Sequence, residues 1–319
     1  MRTVAAVVLL LAAGFSRAQP PADAAGWLRH MAVAGDRLNY QGTLVYSHDN
    51  ATTSFRLTHV RDGQHEWEHL VQLDGRANEV VRGGGDLIYS APGGTSTRLQ
   101  MQPAPSLHPD TTSAALVQAA AHYRFTLSAG ERIAGRDAVR VDVTPQDADR
   151  YGHVFYIDRA TGLLLKSSLL DSDGSVLETE GFSSLSIGKD VGLADYRSAT
   201  RANRGRKQAA PAPGKALPAR WQFWQPAGFR PSAEGWRAKR MNGSRVTVVT
   251  LSDGLASVSL FSEPVTGSPP RTGQSLRGAT AIVSRVLHDQ DKDWLLTVVG
   301  EVPPETARRI ADSVQPPSP

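Results

Sequence analysis

Three histidines, His59, His65 and His69, crowd a short stretch around Asp62-Gly63. Imidazoles so spaced could ligate a divalent metal if the stretch folds back as a hairpin. Asp-Gly tolerates the positive φ of a tight turn. With Asp62 and Gly63 as the two turn residues, His65 and His69 share one face and His59 stands opposite Glu66. Zinc takes three or four protein ligands steadied by outer hydrogen bonds. A histidine pair on an open strand face falls short of that, so no metal site is assigned. Ser252-Asp253-Gly254 sets a hydroxyl beside a carboxylate, but between two strand-like segments these are ordinary turn residues. Gly83-Gly84-Gly85 and Gly93-Gly94 fit neither a phosphate loop nor a dinucleotide turn, and the chain has no G-x-S-x-G nucleophile elbow. It has no cysteine, which removes thiol nucleophiles, thiolate ligands and disulfides. The carboxylates are scattered over turns and strand ends. The chain therefore reads as a non-enzyme without cofactor.

Binding chemistry is better represented. Between Arg197 and Arg220 stand seven basic residues and no acidic one, so the rest of the chain is mildly acidic although the net charge is +4. Arg204, Arg206 and Lys207 in this segment are candidate steering charges for an acidic partner, a long-range effect weakened by salt. Nucleic-acid binding calls for a basic domain face, not one basic tether. Tyr46, Phe55, Trp67, Tyr89, Phe155 and Leu165 are candidates to line an apolar cleft. Cleft lining and core share one alternation along a strand, and the residues alone leave both readings open.

These side chains need elements to hold them. Residues 1–18 read as a signal peptide: Arg2, an apolar run from Val4 to Phe15, and Ser16-Arg17-Ala18 as the cleavage site. That places the mature chain outside the cytoplasm. Residues 23–38 fit a helix, with Asp23 as cap and Leu28, Met31, Gly35 and Leu38 at helical spacing. Short alternating segments follow from Gln41, with turn signals every eight to twelve residues, as in one large antiparallel sheet. A loop over 91–110 and an alanine-rich helix from Thr112 to Tyr123 interrupt them. Residues 197–218 hold Ala, Pro, Gly, Arg and Lys with almost no apolar bulk, and read as a linker. The expected division is then 1–18, a first domain over 23–196, the linker 197–218, and a smaller domain over 219–316. That smaller domain ends in a helix opened by Pro303-Pro304, with Ala307, Ile310, Ala311 and Val314 on one face.

Several runs resemble one family, the sigma-E factor regulatory proteins RseB/MucB. They include Tyr40-Gln41-Gly42-Thr43-Leu44-Val45-Tyr46, Leu73-Asp74-Gly75, Arg132-Ile133-Ala134-Gly135-Arg136, Arg150-Tyr151-Gly152 and Thr161-Gly162-Leu163-Leu164-Leu165-Lys166. From the smaller domain come Ser252-Asp253-Gly254-Leu255-Ala256-Ser257-Val258-Ser259 and Thr297-Val298-Val299-Gly300-Glu301-Val302-Pro303. The resemblance implies an α+β chain: a large half-closed antiparallel β-barrel with covering helices, similar to the lipoprotein carriers LolA and LolB, plus a smaller mixed domain. It implies a periplasmic regulator that binds the periplasmic part of an anti-sigma factor (RseA or MucA), shields it from site-1 proteolysis, and is released by a lipid or lipopolysaccharide signal. Homodimers are also implied. On this reading Ser252, Asp253, Gly254 and Leu255 join Arg204, Arg206 and Lys207 as candidate partner-binding residues. The alternative is a periplasmic lipid or lipoprotein carrier that uses the half-barrel cleft.

Overall fold

The structure is a computed structural model and describes residues 20–316, except 64, 76–77, 84–85, 91–95, 101–117, 198–215, 218–220, 232–235, 242–243, 267–269 and 290–291. The expected signal peptide and the three cations Arg204, Arg206 and Lys207 lie outside the described residues. So does most of the alanine-rich segment from Thr112.

Helix α1 (Ala24–Arg37) begins where Asp23, in extended conformation, accepts a hydrogen bond from the Gly26 amide at 2.6 Å. Capping this free N–H is worth about 1 kcal/mol. The helix buries Trp27, Leu28 and Met31. Twelve strands follow: β1 (Tyr40–His48), β2 (Ala51–Asp62), β3 (His65–Gln72), β4 (Glu79–Gly83), β5 (Asp86–Ser90), β6 (Ser96–Gln100), β7 (Tyr123–Ser128), β8 (Arg132–Ile133), β9 (Arg136–Pro145), β10 (Gly152–Asp158), β11 (Leu164–Leu170) and β12 (Val176–Ile187). They form one antiparallel sheet in the order β6-β5-β4-β3-β2-β1-β12-β11-β10-β9-β7, with β8 paired to β9. β6 and β7 end this order without pairing to each other, so the sheet is not closed. Residues 96–100, expected within a loop, instead continue the ladder as β6 on β5.

The helix covers one face of this sheet. Trp27, Leu28 and Met31 pack with Val139, Val141, Val143, Phe155 and Ile157. On the other face Ala138, Val154, Tyr156 and Leu165 form a separate cluster. Both faces of β10 are thus covered, which is why all seven of its residues are buried rather than every second one. Farther along the helix-bearing face, Tyr40, Leu44, Leu57 and Phe182 join the core.

A second sheet gathers β13 (Ala216–Leu217), β14 (Arg230–Pro231), β15 (Trp236–Met241), β16 (Ser244–Ser252), β17 (Ser257–Pro264), β18 (Gly273–Arg277), β19 (Thr280–Asp289) and β20 (Lys292–Gly300). Its order is β13-β15-β16-β17-β20-β19-β18, with β14 on β16. Ala216 and Leu217, expected as the end of a linker, pair with Arg237 and Trp236 and belong to this sheet. Helix α2 (Pro304–Ser313) lays Ala307, Ile310 and Ala311 against Leu260, Leu296 and Val298. Few helices on mostly antiparallel sheet, a large one and a smaller one, make the chain α+β.

Candidate functional site

Among the described residues, the side chains singled out by sequence do not converge on one centre. Antiparallel register assigns the cleft candidates to faces, because directly paired residues project to the same side. Leu44 stands opposite Phe55, and Tyr46 pairs with Glu180, which pairs with Ser167, which pairs with Phe155. Tyr89 joins that face through Val80 and Leu70. Trp67 pairs with Val60 and projects to the other side, beside the Tyr196 ring at 5.8 Å. Leu165 leaves the face as well. The register slips between Tyr156 and Ile157, and the extra residue turns Leu165 toward Tyr156. A cleft lined by all six is therefore ruled out. Tyr46, Phe55, Tyr89 and Phe155 share the helix-bearing face, but Phe155 is fully buried in the core while Tyr89 is exposed.

The histidine hairpin is also re-registered. Asp62 pairs with His65, so Asp62 stays in the ladder and the turn begins at Gly63, where φ is +60. His59 consequently faces Glu68 rather than Glu66. The cluster that forms is His59, Glu66 and Glu68, whose ligand atoms lie within 4.8 Å of one another. His65 is exposed, and His69 projects with Trp67 to the opposite side. His59 is stacked on Tyr40 at 4.8 Å and donates Nδ1–H to the Leu38 carbonyl at 2.8 Å. Arg82 spans both carboxylates, bonding Glu68 at 2.7 Å and reaching Glu66, and Arg61 adds a second cation at 3.3 Å. The hydrogen bond from His59 holds the Glu66 carboxyl down at about 2 against its burial, with Arg82 and Arg61 acting the same way. A guanidinium thus already supplies the positive charge these carboxylates require.

The most constrained polar site joins the two sheets. Arg150 and Asp253, with side chains 0% exposed, meet at 2.6 Å. Asp253 Oδ2 also accepts the Tyr123 hydroxyl at 3.0 Å, and Oδ1 accepts the amides of Leu255 and Ala256 at 2.9 and 2.8 Å. The other guanidinium nitrogens of Arg150 donate to Asp147 at 2.9 Å and to the Ala227 carbonyl at 2.6 Å. Its plane is flanked by the rings of Tyr123 and Phe229, with centroids 5.4 and 5.3 Å away. Gln118 Nε2 donates to the carbonyls of Gly228 and Ser252, each at 2.9 Å. Burial, with the Asp253 charge, pushes the Tyr123 phenol far above its ordinary range. Burial also holds the His153 imidazole down at about 4, although Asp253 pulls it upward, and its Nε2 has no hydrogen-bond partner.

Ser252-Asp253-Gly254-Leu255 is therefore the turn that plugs the smaller sheet into the larger one. Leu255 packs against the α1 core and Asp253 supplies the counter-charge for Arg150. In this arrangement Asp253 is committed inside the joint and is not a surface contact. The ion pair escaped the sequence reading because its partners are separated by 103 positions. The one signal was that Arg150-Tyr151-Gly152 and Ser252-Asp253-Gly254 both stood among the family-like runs.

A second seam lies across β12. The Glu178 carboxylate accepts the Ala279 amide at 2.6 Å, and Asp49 accepts the Gly278 amide at 3.1 Å. Gly278 has φ +55, and a Cβ there would collide with Glu178 Oε1. Both its conformation and its closeness require glycine.

Sequence comparison places these features in a family. Residues 23–203 match the MucB/RseB N-terminal domain and residues 215–315 the MucB/RseB C-terminal domain. The chain is 35% identical to the sigma factor AlgU regulatory protein MucB of Pseudomonas aeruginosa, over 99% of this chain and 98% of that one. It is 28% identical to the sigma-E factor regulatory protein RseB of Escherichia coli K12, over 90% and 89%. Among solved structures, MucB in complex with MucA(peri) aligns at TM-score 0.69 and 33% identity, covering 93% of this chain and all of the other (100%). MucB alone aligns at TM-score 0.63 and 33% identity, covering 92% and 98%. With both family domains matched in order along the chain, the chain belongs to the MucB/RseB family of sigma factor regulatory proteins.

Proposed function

We propose that this chain is a periplasmic negative regulator that binds the periplasmic part of a membrane-anchored anti-sigma factor and shields it from the first protease of the release cascade. The observation that carries this reading is the end-to-end similarity to MucB, a protein solved in complex with MucA(peri). The geometry supports it. The polar clusters described above are closed by their own counter-charges, as befits a protein that works by occupancy rather than catalysis.

In this reading the domains span 23–196 and 216–316, and the basic segment between them steers the acidic partner through Arg204, Arg206 and Lys207. The turn Ser252–Leu255 acts on the partner indirectly, by anchoring the two domains to one another at one point. A lipid or lipopolysaccharide acyl chain would enter along Tyr46, Phe55 and Tyr89, which share the helix-bearing face and retain some exposure. Self-association into a homodimer belongs to the same proposal.

The test is a cleavage assay. The purified chain is added to the periplasmic domain of its cognate anti-sigma factor together with the site-1 protease. Saturating chain is expected to slow cleavage at least tenfold, and titration calorimetry should show a direct complex. Unchanged cleavage at saturation overturns the proposal. Acyl transfer to an acceptor without any effect on cleavage would favour a carrier instead.

A further inference from the structure

The two contacts described above, among those joining the domains, differ in electrostatic character. At the first, Arg150 and Asp253 neutralise one another inside a fully buried pocket. At the second, carboxylates gather. Glu178 and Glu180 project from β12 on the same side, and Glu301 comes in from the end of β20. Asp49 sits on the β1–β2 turn. Facing them from β1 are Tyr46, hydrogen-bonded to Glu178, and His48, bonded to Asp49 at 3.3 Å. From β11 comes Ser167, which donates to Glu180 at 3.2 Å. Tyr151, Leu169, Leu177 and Ala279 form the apolar floor, with Asp171 acting on Tyr151 from beyond it. The charges acting on Glu180 are Glu301 and Glu178, both of its own sign. Two backbone amides, those of Gly278 and Ala279, hold the seam shut against that repulsion.

We infer that the carboxylate seam is a proton-sensitive gate between the two domains, which swings about the Arg150–Asp253 joint as its hinge. Closing the seam takes Glu180 away from water beside two like charges, and closure therefore favours its protonated form. Burial first, then Glu301 and Glu178, push the Glu180 carboxyl up to about 7. An open gate removes Glu301 and readmits water, and so brings it back toward its ordinary value of 4.5. The sign follows: the closed form binds the extra proton, so it gains as pH falls from about 7 toward 4.5 and loses as pH rises. With allowance for solvent at the seam, the closed-to-open ratio changes by roughly 10- to 100-fold across that window. His153 sits at the hinge, remains packed in both forms, and takes no part.

The absence of cysteine makes the test direct. Spin labels at Leu73→Cys and Gln274→Cys, both exposed and in different domains, report the separation of the domains. In the otherwise native protein the distance distribution should lengthen between pH 5 and pH 8. Glu180→Gln should hold the short distance throughout, and His48→Asn should keep most of the response. Glu301→Gln tests the same repulsion from the other domain and should shift the transition to higher pH. A pH-independent distance in the parent, or a Glu180→Gln profile like the parent's, overturns the gate. The measurement uses no partner, so its failure leaves the regulator reading untouched.

Discussion

Replacing Arg150 by methionine should cost this protein far more than a surface charge would. The substitution keeps most of the side-chain volume between the Tyr123 and Phe229 rings and deletes only the guanidinium. Asp253 then keeps its charge at a position with no solvent exposure. It retains the Tyr123 hydroxyl and the Leu255 and Ala256 amides, but loses the cation at 2.6 Å. Breaking one side of such a buried pair typically costs about 3–5 kcal/mol, because the remaining charge is left uncompensated. The Ala227 carbonyl and Asp147 also lose a donor. With a urea slope of roughly 3 kcal/mol per molar, the midpoint falls by about 1–1.7 M. The double variant Arg150→Met, Asp253→Asn removes the stranded charge while keeping acceptor and shape, and should recover about 2 kcal/mol or more of that loss. Urea melts followed through Trp27 in the first domain and Trp221 in the second would measure both effects and show whether the domains still unfold together. An Arg150→Met midpoint within 0.2 M of the parent (about 0.6 kcal/mol at that slope), or a double variant no better than the single, would refute the view that this pair joins the domains.

Three further outcomes follow from the same reasoning. His153 is neutral and buried, with its imidazole held at about 4 in the folded chain. Stability is therefore complete above pH 6.5 and should fall by up to about 3 kcal/mol as pH drops from 6.5 to 4. His153→Leu should flatten that part of a thermal-melt pH profile, and an unaltered profile counts against the assignment. Arg82→Met strands Glu68, whose side chain is 2% exposed, and should lower stability by about 3 kcal/mol. In the parent chain the Glu66 contribution should be lost as pH falls from about 4.5 through 2, a step that Glu66→Gln removes. Chemical denaturation of each variant at pH 7 and pH 3 decides both points.

Local patterns carried much of the architecture. Asp23 capped the helix it was expected to cap, and the alternating segments from Tyr40 onward became one antiparallel sheet. The misreadings arose where pairing depends on something non-local. At the β2–β3 hairpin the turn moved one residue from Asp62-Gly63, which changed the β3 partner of His59 from Glu66 to Glu68. Leu165 changed sides because of a bulge that no residue type announces. Ser252-Asp253-Gly254 was correctly read as a turn, yet its purpose depends on an arginine 103 positions away. Strand alternation distinguishes inside from outside only when one face is dry. In β10 both are, and alternation is silent there.

The joint between the sheets has an asymmetry of authorship. The first domain contributes side chains: Gln118, Arg150, Asp49 and Glu178. The second answers them mostly with main chain, through the carbonyls of Ala227, Gly228 and Ser252 and the amides of Gly278 and Ala279. Every residue type displays the same carbonyl, and all but proline the same amide. The second half can therefore drift in sequence, provided its loops keep their course, and still dock as before. Alanine scanning across that half would pass over most of the docking surface without registering it. Backbone-altering changes, such as proline at Ala279 or amide-to-ester replacement, are the perturbations that would expose it.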